Sequence, residues 1–149
     1  MLLKEVCTPD VVCCAPRTST LAAARLMRER HVGDLVVLAD PERDRTPLGL
    51  VTDRDIVVEV LARERDPERT TVQEIMRKPL VVARADEETS EVIARMKKHG
   101  VRRVPVIGEH GHVAGIVCLD DLLRNLVAET AALVGVVSSE QDHEHRNRR

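Results

Sequence analysis

The sequence predicts an α+β fold: tandem βαββα repeats with pseudo-twofold symmetry, their small sheets packed together and flanked by helices. Three observations carry this expectation. First, the chain repeats itself. GIVCLDDLLRNLV (Gly115 to Val127) matches GLVTDRDIVVEVL (Gly49 to Leu61), and RMKKHGVRRVPVI resembles LMRERHVGDLVVL, pairing Met96 with Met27 and Val101 with Val32. Second, short apolar runs alternate with stretches of helical periodicity in each copy. Third, 43% of the residues are hydrophobic yet none is Phe, Tyr or Trp. The core is therefore aliphatic, and one copy of roughly sixty residues buries too little surface to stand comfortably alone.

The elements follow in the same order in both copies. LKEVC (Leu3 to Cys7) opens the first and VQEIM (Val72 to Met76) the second, 69 residues on. VVCC and LVVA then read as short buried strands. A helix follows in each. Leu21, Ala24 and Met27 recur at helical spacing behind Thr18, Ser19 and Thr20, and Val92, Ile93 and Met96 do so behind Thr89 and Ser90. Two apolar runs joined by a loop come next: DLVVLA to LGLVT, then RVPVI to HVAGIVC. Pro105 marks its strand as an edge or an irregular one. Gly49 and Gly115 are only 66 residues apart, so the first copy has three extra residues, assigned to the polar loop DPERDRTP. The last helix runs from about Asp53 to Leu61, and from about Leu119 through Ala128. The copies are bounded as residues 1–66 and 67–134, and residues 135–149 form a polar tail expected to lack structure. Leu21, Met27, Val36, Val51, Val92, Met96, Val106 and Val117 are the expected core. The apolar side of LVAETAALVGVV is expected to be covered by its own chain or by a second one.

Composition excludes several functions. A net charge of −2 gives the chain no general attraction for nucleic acid or anionic membrane. Stacking platforms for single strands need aromatic rings, which are lacking. No apolar run approaches the length of a membrane span, and MLLKEVCTPD lacks the apolar core of a signal peptide. The four cysteines contain no C-x-x-C pair, and reduced thiols in the cytoplasm are the expectation. His110 with His112, and His143 with His145, lack further ligands at fixed spacing, so no metal site is assigned.

TDRD, Thr52 to Asp55, admits three readings. As a cap, Thr52 is the N-cap and Asp55 completes a capping box. As a ligand clasp, the strand end offers a hydroxyl to an anion, and a carboxylate three residues on accepts hydrogen bonds from a ribose diol. As a catalytic pair, Asp53 and Asp55 make a hydrolase site, against which stands the lack of an accompanying nucleophile, base and oxyanion donors.

Two copies of G-[LI]-V-x-x-x-D heading a helix, each preceded by hVxxhxV, resemble the cystathionine-beta-synthase (CBS) domain family. The resemblance covers about Leu3 to Val127, and the length is similar to small stand-alone CBS-pair proteins of the actinobacterial hypoxic-response type. It implies a tandem pair, or Bateman module, that binds an adenosine-type ligand in clefts between the repeats, is regulatory and is not an enzyme. In the family's motif the Ser or Thr contacts phosphate and the Asp the ribose, which transfers to Thr52 and Asp55 and, in the second copy, to Cys118 and Asp121. Cys118 stands where Ser or Thr is usual, and a thiol is a poor donor, which weakens the second cleft. The family's base pocket transfers to Val12, Val81, Val32, Gly33, Val101 and Arg102, with Arg102 and Arg103 offering charge to a phosphate. No cofactor is required. The implied ligand is AMP, ADP or ATP, S-adenosylmethionine or NAD, and the implied assembly a homodimer, with a further protein partner possible. A ligand-free dimerisation module is the alternative.

Overall fold

In the computed structural model, which describes residues 1–148, both copies fold as βαββα units. The first sheet has the order β1 (Cys13–Cys14), β2 (Asp34–Asp40), β3 (Asp44–Thr52); the first pair is parallel and the second antiparallel. The second sheet repeats it with β4 (Ala83–Arg84), β5 (Arg103–Ile107) and β6 (Val113–Cys118). Helices α1 (Thr20–Arg30) and α4 (Thr89–His99) join the first two strands of each sheet. Ser19 starts α1 by accepting the Ala22 N–H at 3.1 Å. Gly100 ends α4 at φ 63°, where a side chain is disfavoured, and His31 takes the equivalent left-handed position at φ 54° in the first copy.

The aliphatic core forms as expected at Met27, Val36, Val51, Val92, Met96, Val106 and Val117, all buried. Leu21 is only half-buried, because Thr20, Ala23 and Met27 hold the inner line of α1. Ile93 is exposed, because Val92 and Met96 take that line in α4. The three extra residues extend the β2–β3 hairpin instead of its loop, which closes between Asp40 and Asp44. Pro105 lies in the central strand of its sheet, not at an edge. It is tolerated because Ile116, its partner on β6, turns both backbone groups outward to Thr8, at 2.8 and 2.9 Å, and because β4 pairs only from Val106 onward.

The opening segments are exchanged between the copies. Leu3 is fully buried in the core of the second copy, and the N–H groups of Leu3 and Lys4 donate to the carbonyls of Glu87 and Ala85. In return Val72 and Ile75, on the short helix α3 (Val72–Ile75), and Met76 enter the core of the first. The boundary between residues 66 and 67 therefore marks the repeat in the chain, while each core needs both halves. Gly49 and Gly115 lie where the exchanged segments cross the sheets: a Cβ on Gly115 would stand 2.9 Å from the Thr8 carbonyl oxygen, and one on Gly49 would meet the Met76 side chain. A third apolar cluster, with Val36, Leu38, Leu50 and Val113 at its centre, packs the two sheets together.

After β3 the chain turns into α2 (Asp53–Ile56), which runs on as a π-helical turn over Val57–Leu61. After β6 it turns into α5 (Leu119–Asn147), 29 residues long. The tail expected to lack structure is thus helical from residue 135 to Asn147, with Arg149 outside the described residues. No proline interrupts the sequence after Ala128 to stop the helix. α5 is long and apolar enough, by length and composition, to cross a membrane, against the expectation that no run approaches a span. Arg124, Glu129 and the flanking polar residues break the uninterrupted run without lowering the average far. The apolar residues of its outer part are not covered by this chain: Leu126, Leu133, Val134, Val136 and Val137 are all more than half exposed.

Candidate functional site

Thr52 ends β3 and caps α2. Its Oγ1 accepts the Asp55 N–H at 3.2 Å, and Asp55 Oδ2 accepts the Thr52 N–H at 2.9 Å. The other oxygen of the buried Asp55 carboxylate accepts from Arg77 Nε at 3.3 Å. Both Asp55 oxygens are therefore engaged, whereas the Thr52 hydroxyl donates to no acceptor among the described residues. Asp53 accepts the N–H of Arg54 at 2.8 Å. In the second copy the Cys118 N–H reaches Asp121 Oδ2 at 3.4 Å, and the thiol donates to the same oxygen at 2.7 Å. Partial burial raises the Cys118 pKa, and the bond to Asp121 raises it further. Cys118 thus turns its one donor inward, where Thr52 keeps its own free.

Two clefts lie between the copies. The first, about 240 Å³, is built from Thr52, Asp53 and Arg54 of one copy and the Gly100–Arg103 turn of the other, with Arg77 beside them. The second, about 470 Å³, sets Val12, Val32 and Gly33 against Cys118, Asp120 and Asp121. Each joins the strand–helix corner of one repeat to the turn before the second strand of the other. Of the residues singled out from sequence, Thr52, Val101, Arg102 and Arg103 meet in the first cleft, and Val12, Val32, Gly33, Cys118 and Asp121 meet in the second, where Arg103 also reaches. Two do not fall where expected. Val81 packs against the core of the second copy, and Asp55 is turned toward Arg77, Glu74 and a neighbouring hollow of about 300 Å³. The capping bond fixes that direction for Asp55.

Several residues lining the clefts escaped the sequence reading, among them Asp34, Arg54 and Arg77. Asp34 and Arg103 are repeat-equivalent, 69 residues apart, and meet at the pseudo-twofold axis with Arg103 Nε 2.7 Å from Asp34 Oδ2. Burial raises the Asp34 pKa, outweighing the pull of Arg103, and the nearby Asp53 and Asp121 carboxylates add to the rise. The pairing of Val32 with Val101 was the available signal, since two residues on it aligns Asp34 with Arg103. Arg77 follows VQEIM, and only the exchange of that segment brings it to Asp55. The four cysteines are free thiols, and burial pushes Cys14 up to about 12. Among the described residues no cluster of three or more His, Cys, Asp or Glu is placed to hold a metal.

Comparison with known proteins adds the following. The family model described as CBS domain matches residues 3–62 and 72–128. Hypoxic response protein 1 of Mycobacterium tuberculosis is 37% identical over 123 residues, covering 83% of this chain and 83% of that protein. The uncharacterized protein MK0525 of Methanopyrus kandleri is 30% identical over 80% of this chain, which spans 60% of its length. Among solved structures, Hypoxic Response Protein I with two coordinated zinc ions superposes with a TM-score of 0.73 at 34% identity, covering 83% of this chain and 98% of that one. The CBS domain pair of protein MJ0100, in complex with 5′-methylthioadenosine and S-adenosyl-L-methionine, does so at 0.75 and 25% identity, covering 87% and 98%.

Proposed function

The chain belongs to the CBS domain family, and from that premise we propose that it is a non-enzymatic regulatory module holding an adenosine-type ligand in the clefts between its repeats. The observation that carries this is the construction of each cleft from both copies, with aliphatic walls and a capped helix start at one end. A ligand seated there touches both repeats at once and so favours one arrangement of the pair over others, which is what a regulatory readout requires. An aliphatic slot such as that of Val12 and Val32 suits the faces of a purine where no aromatic side chain exists. Thr52 offers its hydroxyl to a phosphate. Asp55 is held toward the neighbouring hollow by its capping bond and by Arg77, so the ribose role that the motif implies is not assigned to it. The MJ0100 pair, solved with two adenosyl compounds, supports the ligand class. The capping and ion-pair roles of Asp55, and the bond of Asp53 to the next backbone N–H, speak against hydrolysis, and four free thiols fit a reducing cytoplasm.

The uncovered face of α5 favours a second element of the reading, self-association as a homodimer. Leu123, Leu126, Leu133, Val134 and Val137, all exposed, recur at three-, four- and seven-residue steps along one side. Asp120, Asp121, Arg124, Ser138 and Ser139 occupy the other, a two-faced pattern suited to a partner helix rather than to lipid all round.

Thermal unfolding of the full chain with AMP, ADP, ATP, S-adenosylmethionine and NAD tests the ligand reading. A ligand at a hundred times its Kd stabilises by about 2.7 kcal/mol. At about 2–4 °C per kcal/mol for a chain of this size, that is a rise of roughly 5–10 °C. No rise with any of them at millimolar concentration would reject the reading, and turnover seen by chromatography would reject its non-enzymatic part. Sedimentation as a monomer at micromolar concentration would reject the dimer, and flotation with neutral lipid vesicles would reassign α5 to a bilayer.

A further inference from the structure

We propose that the two clefts sort ligands by charge: the Thr52 cleft takes a phosphate-bearing adenosine ligand and the Cys118 cleft does not, so that one chain binds one nucleotide. The inference rests on the adenosine reading above and deepens it by assigning the ligand's charge to a cleft.

The pseudo-symmetry allows the clefts to be compared position by position. Arg54, Arg77, Arg102 and Arg103 line the first. Their equivalents, 66 or 69 residues away, are Asp120, Thr8, Gly33 and Asp34, which line the second. The equivalence is structural as well as sequential. The backbone bridge between Leu50 and Arg77 is matched by that between Thr8 and Ile116. The Asp53 N–H donates to the Gly33 carbonyl at 3.0 Å just as the Leu119 N–H donates to Arg102 at 2.8 Å. Four cationic positions in one cleft are thus two anionic and two neutral ones in the other.

Asp53 is the one carboxylate lining the first cleft, and while Arg77 and Arg103 are paired with Asp55 and Asp34, Arg54 and Arg102 are free to respond. Arg54 has no carboxylate within ion-pair distance among the described residues, and the Arg102–Asp120 pair, at 3.5 Å, joins two mostly exposed side chains. Such a pair holds weakly and yields to a better anion. A guanidinium meets phosphate with two parallel N–H groups, a stronger interaction than any neutral donor makes. The hydroxyl at the head of each helix adds to the contrast. Thr52 retains its proton for a phosphate oxygen, whereas the Cys118 thiol gives its own to Asp121. The second cleft is the larger, so size does not exclude a phosphate from it. Its carboxylates do: Asp10, Asp34, Asp120 and Asp121 face Arg103, Arg124 and His31 there. Arg103 is held by Asp34 at 2.7 Å, and Arg124 lies 3.6 Å from Asp121, so neither is unopposed.

Isothermal titration of the full chain with ADP, and separately with adenosine, tests the proposal. ADP is expected to bind at one site per chain and to weaken severalfold as salt rises from about 0.05 to about 0.5 M, while adenosine is far less salt-sensitive. In the double variant Arg54→Gln/Arg102→Gln the ratio of ADP to adenosine affinity should fall by about tenfold or more. Two ADP sites of similar affinity per chain would overturn the partition, as would an unchanged ratio in the variant. Adenosine binding with no preference for ADP would overturn it too, while leaving the adenosine reading standing. Binding of neither compound would overturn both. Stoichiometry and salt dependence are read on the unaltered protein, so the outcome does not hang on the variant folding.

Discussion

Asp55→Ala and Asp121→Ala remove the same residue from equivalent helix starts, yet the structure assigns them unequal costs. Asp55 is buried and takes two donors, the Thr52 N–H at 2.9 Å and Arg77 Nε at 3.3 Å. A hydrogen bond to a charged group contributes about 1.5–3 kcal/mol, and an ion pair with a half-exposed arginine adds at most about 1 kcal/mol. Asp55→Ala should therefore cost about 2–4 kcal/mol. Asp121 is more open, its backbone donor is 3.4 Å away, its second donor is a thiol, and Arg124 at 3.6 Å is 81% exposed. A long cap bond and a solvated pair leave about 0.5–1.5 kcal/mol for Asp121→Ala. Urea unfolding of the ligand-free protein, followed by circular dichroism, measures both. At about 2–4 °C per kcal/mol, Tm should fall by roughly 4–16 °C for the first and roughly 1–6 °C for the second. Arg77→Ala, costing about 1 kcal/mol or less, separates the ion pair from the cap. Equal losses at the two aspartates would refute the reasoning, as would a cost below about 0.5 kcal/mol for Asp55→Ala.

Leu3→Ala should cost about 2–4 kcal/mol, because Leu3 fills the core of the opposite copy; a loss under about 1 kcal/mol in urea would mean that the opening segment is not packed there. Gly115→Ala should destabilise more than Gly49→Ala, because its Cβ meets the Thr8 backbone carbonyl while that of Gly49 meets a methionine side chain that can turn aside; thermal melts showing the reverse order would refute this. Asp34 holds its proton more tightly in the folded chain than in the unfolded one. Its contribution to stability is therefore greatest below the ordinary carboxylate value of 3.8 and is lost as pH rises through the raised folded value. Asp34→Asn should remove that loss, so stability of the variant relative to the parent should improve as pH rises from about 3.5 to about 7; a relative stability that falls over this range would show that the attraction of Arg103 outweighs burial.

Local pattern determined the βαββα order, the aliphatic core and the capping of α2, because each follows from residues only a few positions apart, and the recurrence of that pattern 66 to 69 residues on revealed the repeat. Ser19 before α1 and TDRD before α2 are signals that the backbone reads by itself. Thr52, Cys118 and Asp121 were legible from the two motifs, and Val12, Val32, Gly33, Val101, Arg102 and Arg103 from the family resemblance, but their division between two clefts was not, because it depends on which copy each one faces. The extension of α5 was missed because its apolar and polar positions alternate by face, which breaks the run in sequence without breaking the helix. What only the tertiary structure decided depends on residues distant in the chain. The exchange of Leu3 and Val72 between the cores puts Arg77 against Asp55, pairing a carboxylate that its capping bond already turns away from the cleft. The pseudo-twofold axis sets Asp34 against Arg103 and divides the remaining charges unequally between the two clefts. Electrostatics act through space and not along the chain, so two copies of one motif become unlike sites only when the fold has chosen their neighbours.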